Sequence, residues 1–448
     1  MPKPVLLLLV FFLLMVPLAL ITNLVSERAD YRREAVQEIS TGWTGAQTLL
    51  GPVVVVDYEV ALPATVCDPE AKKSVETVVH ESRTALVPVN TLDVQGDVTT
   101  ETRYRGIHAA RVYTAELQLE GSWSANAFNA LRPDDSVTIK RTQLWIWLAD
   151  RRGFISEPHA RWNERELAFE AGGHAALGHS GIVADLERPG EDASFSIGLT
   201  LRGSGELGFV PTSNQADYAM RADWPHPSFR GRYLPVGRAV DAEGLQASWS
   251  TTSLSSNTGA ALDRCAAGEC ASLRAQAFGV AFIDPVDQYQ RALRATKYGV
   301  LFMVVLFGAV IAVEIKARLE VHPIQYGLVG AALAIFFLLL LSLSEHLPFA
   351  AAYTVAAGMS TALLGFYGRG VFASAALGGA FAAGIAVLFA LLYVILGRED
   401  TALLMGSLLT FVLLAALMYL TADTEALRAF RMSAADDSDD ADVEARAV

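Results

Sequence analysis

The last third of the chain carries five apolar runs, and these constrain the fold more tightly than anything else in the sequence. Sixteen uncharged residues lie between Lys297 and Glu314, and 24, with one histidine, run from Val321 to Ser344. Leu347–Gly368 adds 22, Gly370–Gly397 adds 28 and Thr401–Ala422 adds 22. A helix crossing the ~30 Å hydrocarbon core needs about 20 residues at ~1.5 Å each. Lipid offers no partner to a bare N–H or C=O, so such runs must close their hydrogen bonds internally, as helices. Five spans are expected, over about 298–315, 324–343, 347–367, 371–396 and 402–421.

A further uncharged run, Pro4–Ser26, follows Lys3. It is longer than the apolar core of a usual signal peptide, and no clear A-x-A site follows it. Residues 1–26 therefore read as a retained transmembrane signal anchor, with a helix over Val5–Val25, which makes six spans. Residues 27–297 have ordinary globular composition, unlike the chain as a whole, which is 52% hydrophobic and 19% charged. Sidedness follows from basic residues in short loops. Lys3, Lys316, Arg318, Arg369, Arg428 and Arg431 fall on one side, and only Arg398, beside Glu399 and Asp400, on the other. That places both termini in the cytoplasm and residues 27–297 outside, which in a bacterial chain would be the periplasm. Arg28, Arg32, Arg33, Arg291, Arg294 and Lys297 at the domain's flanks run against the rule, from which long translocated domains are largely exempt. The end, 423–448, is Asp-rich beyond Ala434 and is expected to be an acidic, disordered cytoplasmic tail. The net charge of −13 argues against nucleic acid as a partner.

Past the first span, Tyr31, Ala35 and Ile39 recur at helical spacing, so the helix is expected to continue outward until Gly42 and Gly45 break it. Leu49–Asp57 reads as a turn at Gly51-Pro52 and a buried strand. Alternating segments follow at Arg111–Leu119, Ser136–Leu148, Ser194–Leu201, Asp217–Asp223, Gln246–Thr251 and Gln276–Phe282. Helical periods are scarce here. A mainly-β, antiparallel, sandwich-like domain is the expectation. Of three cysteines, Cys67, Cys265 and Cys270, the last two are spaced to close a small disulfide loop in an oxidising compartment. Reduced thiols are the alternative, and a zinc site fits the spacing less well.

Chemistry-bearing motifs are sparse. His174 and His179 stand five apart in a Gly-rich stretch, which suits a loop better than a metal site. No GxSxG elbow or Walker A sequence is present, and Gly203-Ser-Gly205 lies between strands, where a hydrolase elbow needs strand–turn–helix. No catalytic residue, cofactor or metal ligand is assigned. The densest unusual segment is Trp224–Tyr233, in which two prolines bracket His226. It is a candidate partner surface through Trp224, His226, Phe229 and Arg230, with a rigid structural corner as the alternative reading. In the membrane block, Glu314 is near one helix end, where it snorkels or pairs. Glu345 and His346 close the third span, and Arg294 stands where the domain joins the membrane block; these three complete the candidate interface set. No helix centre carries a carboxylate, which weighs against proton coupling.

Several segments resemble the CreD family of inner-membrane proteins of Gram-negative bacteria. They are Glu27-Arg-Ala-Asp-Tyr-Arg32, Leu50-Gly-Pro52, Trp224-Pro-His-Pro-Ser-Phe229, Asp287-Gln-Tyr289 with Arg294-Ala-Thr-Lys-Tyr298, and Leu341-Ser-Leu-Ser-Glu-His346. The resemblance implies six helices with a large periplasmic domain between the first two. It also implies production under a two-component system and a link to envelope integrity, colicin tolerance and β-lactam response; it supplies no catalytic residues. The expected function is that of a non-enzymatic inner-membrane protein contributing to envelope integrity, its β domain binding a periplasmic or envelope protein while the lipid bilayer holds its helices. A transporter or channel for a lipid or small solute is the alternative, and an enzyme built on Glu345 is a third, weaker one.

Overall fold

The computed structural model describes residues 3–67, 74–132, 136–174, 178–284, 288–317 and 319–397, with 404–408, 411, 412 and 415. The chain divides into two compact units, Met1–Arg33 with Val286–Val448, and Glu34–Pro285.

The helical unit begins with α1 (Lys3–Trp43), continuous through Pro17. Its buried residues Leu7, Leu14, Leu18, Ile21 and Val25 recur at spacings of three, four and seven, a single stripe along the helix. After it come α2 (Gln288–Lys297), α3 (Gly299–Ala317), α4 (Pro323–Ser344), α5 (Phe349–Val371) and α6 (Ala375–Gly397). Among the described residues α1, α4, α5 and α6 are each long and apolar enough to cross a membrane, and α2 with α3, bent by 45°, would make a fifth. The expected span at 402–421 and the acidic tail lie outside the described residues, apart from a few helical positions at 404–415. The stripe on α1 packs into the core formed by α2–α6. A Cβ on Gly299 would lie 2.8 Å from Leu18 Cδ1, so glycine is what lets α1 approach there.

Gly42 does not break α1. The helix runs on to Trp43, and Gly45, at φ +66°, closes it with its N–H on Ser40 O at 2.7 Å. A helix stops where the chain can turn left-handed with its last carbonyls satisfied, and a glycine inside the last turn is tolerated at modest cost.

The second unit is mainly β. Its principal strands are β1 (Gln47–Cys67), β2 (Ser74–Arg105), β3 (His108–Trp123), β4 (Val137–Leu148), β5 (Gly178–Asp185), β6 (Ala193–Ser204), β7 (Glu206–Val210), β8 (Ser213–Ala222), β9 (Pro227–Gly231), β10 (Leu245–Thr252) and β11 (Phe278–Phe282). The long β2 belongs to two sheets. Its first half pairs with β1 and its second half with β3 and β8. Side chains from both sheets, among them Val54, Leu144, Leu117, Ile197, Tyr218 and Trp249, share one core. Alternation builds that core. Along β10, Leu245, Ala247, Trp249 and Thr251 are buried and the residues between them exposed.

Two pairings depart from the antiparallel expectation. β1 runs parallel to β7, and β2 parallel to β8. Strands reached by long crossovers can join in either direction, whereas a tight hairpin forces them antiparallel. The expected turn at Gly51-Pro52 lies inside β1. Gly51, at φ +115°, sits where the register against β4 shifts between Leu50 and Val53, a bulge within a continuous strand. His174 and His179, expected in a loop, fall at the end of a strand, Glu170–His174, and at the start of β5.

A short helix, Thr258–Ala266, is not legible in the alternation. It brings Leu262 and Cys265 against Leu50, Val53 and Trp145 in a second, smaller core. Cys265 and Cys270 form a disulfide there, with Cα atoms 4.0 Å apart.

Candidate functional site

The candidate residues fall into two groups, one in each unit. In the β unit, β9 pairs antiparallel with β11, Phe229 opposite Val280. Just before β9, the indole N–H of Trp224 donates to Ile283 O at 3.0 Å. The guanidinium of Arg111 lies over the Trp224 ring, 3.8 Å from its centroid, and the imidazole of His226 meets that ring edge-on at 5.7 Å. Phe229 packs against Trp249 at 6.0 Å, and Trp249 against Phe278 at 5.7 Å. Beneath them Tyr218 meets Phe278 at 5.0 Å, and burial pushes its phenol well above the ordinary tyrosine range. Trp224 and Phe229 are thus half-buried anchors, while His226 and Arg230 are exposed. The prolines fix the corner, as their restricted φ demands.

Beyond this corner the β unit exposes three large aliphatic side chains that the sequence does not single out. Leu234, Val236 and Leu254 are 71%, 81% and 96% exposed. The Tyr233 hydroxyl donates to Ser255 O at 3.5 Å and Val236 N to Ser248 O at 2.8 Å, which ties the loop carrying Leu234 and Val236 to β10 and to the turn after it that carries Leu254. Arg230, Arg232 and Arg238 are interleaved with them, and none forms an ion pair among the described residues. The available signal is Arg-Tyr-Leu-Pro-Val, apolar residues without strand alternation directly after the predicted corner.

In the helical unit Glu345 caps the C-terminus of α4. Its carboxylate accepts from the Tyr289 hydroxyl at 3.3 Å and lies 4.0 Å from Arg28 Nε. Tyr289 is fully buried, and the Glu345 side chain is 15% exposed. His346 is exposed, with Nδ1 3.4 Å from Ser342 O, and Arg294 is half-buried on α2. Glu345 is legible in the sequence as a helix-end residue, and its partners are not. Those partners come from the segments that carry the family resemblance, Glu27–Arg32 and Asp287–Tyr289.

A second cluster involves Glu314 on α3. It ion-pairs with Lys3 at the start of α1, accepts from Tyr326 Oη at 2.6 Å and from Val321 N at 3.1 Å. The sequence leaves open whether it snorkels or pairs. The observed pairing closes across 311 positions of sequence. Lys3 and Arg28 stand about 37 Å apart along α1 at ~1.5 Å per residue, so the two ion pairs bracket its apolar stretch.

Among the described residues no three His, Cys, Asp or Glu side chains converge as a metal-holding group. Fold and site together define an integral membrane protein, with a mainly-β domain set between its first membrane helix and a block of further ones. The model of the family "Inner membrane protein CreD" matches residues 1–425. Inner membrane protein CreD of Escherichia coli (strain K12) is 30% identical over 416 residues, covering 91% of this chain and 90% of that protein. The chain belongs to the CreD family of inner membrane proteins. Among solved structures, the M1 zinc metallopeptidase of Deinococcus radiodurans matches at TM-score 0.20 and 11% identity, over 36% of this chain and 38% of that one. A point mutant of the same metallopeptidase matches at TM-score 0.19 and 12% identity over the same shares. At that level of similarity neither fold nor zinc chemistry carries over.

Proposed function

We propose that the chain works at the bacterial inner membrane as a non-enzymatic contributor to envelope integrity, its β domain binding a partner protein of the periplasm or envelope. Six spans, with 402–421 as the last, leave both termini in the cytoplasm and the β domain in the periplasm. The Cys265–Cys270 disulfide supports that sidedness, because such bonds persist in oxidising compartments. The observation that carries the binding role is the corner at Trp224–Arg230 with its adjoining surface. Anchored aromatics hold exposed His226 and Arg230 in place, and exposed aliphatics of this size on a folded domain mark interaction sites. The unpaired arginines favour a partner that offers carboxylates beside apolar groups.

Transport coupled to protons or ions needs ionisable groups deep in a bundle. Glu314 and Glu345 instead stand near helix ends, each beside a cation.

Photo-crosslinking residues placed at Arg230 and Val236 of the full chain in intact cells test the binding role. One defined envelope protein should be captured at both positions. Val236→Asp with Leu254→Asp should lower its yield about tenfold, as loss of an interface anchor does, and impair growth under envelope stress. Equal yield from a probe at His80 on β2, or unchanged growth with the double variant, would sink the assignment.

A further inference from the structure

Where α5 and α6 run side by side, they leave an open groove of about 830 Å³ between them. Small residues line it, Ala362 and Gly365 on α5 and Ala382 and Ala386 on α6, together with Phe366, which is 78% exposed. Arg369 lines one end. It is exposed and forms no ion pair among the described residues. The first turn of α6 comes close beside it, since a Cβ on Gly378 would lie 2.7 Å from Arg369 N, and that turn carries no acidic residue. One end of a largely apolar groove is therefore positive and lacks a counter-charge among the described residues.

We infer that this groove holds an acyl chain of an anionic phospholipid, with the phosphate on Arg369. A groove on a membrane helix pair is in contact with lipid unless protein fills it, and the unpaired guanidinium selects for negative headgroups. A second copy is the weaker occupant. A symmetric dimer would set this surface against itself, and neither α5 nor α6 contains a carboxylate to meet Arg369. Burying the guanidinium against apolar helix without a partner is unfavourable.

The test uses the full chain reconstituted in bilayers with a phosphatidylglycerol probe that carries a diazirine in its acyl chain. Label should concentrate in peptides of 349–397 and be competed by unlabelled phosphatidylglycerol but not by inorganic phosphate. Arg369→Gln, at an exposed position that leaves the packing intact, should lower it about fivefold, the effect of one arginine at an anionic surface. Ala386→Leu should lower it by filling part of the groove, with the headgroup site untouched. Equal labelling by a phosphatidylcholine probe, or label insensitive to both substitutions, would mean bulk lipid only and overturn the inference. Competition by inorganic phosphate, or copy-to-copy crosslinking through Ala386→Cys, would overturn it in favour of a free anion or a dimer.

Discussion

Replacing Glu314 with alanine is expected to destabilise the helical unit by up to about 3–5 kcal/mol, the cost of leaving one member of a buried ion pair alone, this pair being partly buried. The Glu314 side chain is 11% exposed and serves three donors, the Lys3 ammonium, the Tyr326 hydroxyl and the Val321 N–H. Tyr326 is fully buried, so its hydroxyl would have no water to turn to. Lys3 is 28% exposed and can partly reach the interface, which sets the effect toward the lower end of that range. Glu314→Gln keeps an acceptor for the hydroxyl but not the charge, and should fall between wild type and Glu314→Ala. Adding Lys3→Met to Glu314→Gln should recover part of the loss, because the orphaned charge goes with it. Denaturant unfolding of the reconstituted full chain measures each. A Glu314→Ala chain within about 0.5 kcal/mol of wild type, the range of ordinary surface substitutions, would show that the cluster stabilises nothing.

Trp249→Ala is expected to be as severe in the β unit, about 3–5 kcal/mol, as for other buried tryptophans cut to alanine. Trp249 is 2% exposed and lies between Phe229 and Phe278, so the cavity would open directly beneath the candidate partner surface. Its indole N–H has no partner among the described residues, so Trp249→Phe loses volume without orphaning another group. That variant should lose less than half as much. Crosslinking from Arg230 should fall with Trp249→Ala and persist with Trp249→Phe. If both variants unfold alike, the contact with Phe229 and Phe278 is not what holds the corner.

The membrane helices are legible because run length answers directly to bilayer thickness, and the β domain because alternation answers to a half-buried sheet. What the sequence hides is long-range. Glu314 reads as a helix-end carboxylate that snorkels or pairs, with no partner named, and its cation is Lys3, because the closure of α1 onto α3 decides which charges meet. Glu345 stands out as a rim residue, while Arg28 and Tyr289 become its partners only once α1, α2 and α4 are packed. The parallel pairings of β1 with β7 and β2 with β8 are hidden for the same reason, since periodicity along one strand carries no information about which strand lies beside it. The Trp224 corner is visible from its prolines and aromatics. The apolar surface beyond it is not, because exposure is a property of the fold.

Sidedness decides whether that surface can meet an envelope partner at all. It is read by labelling spheroplasts of cells making the full chain with a membrane-impermeant maleimide. Arg230→Cys and Glu320→Cys would each be placed in a Cys67→Ser background with the Cys265–Cys270 disulfide intact. Arg230→Cys should be labelled without lysis and Glu320→Cys, in the loop between α3 and α4, only after it. Label on Glu320→Cys in intact spheroplasts, with Arg230→Cys protected until lysis, would put the β domain in the cytoplasm and contradict the proposed function.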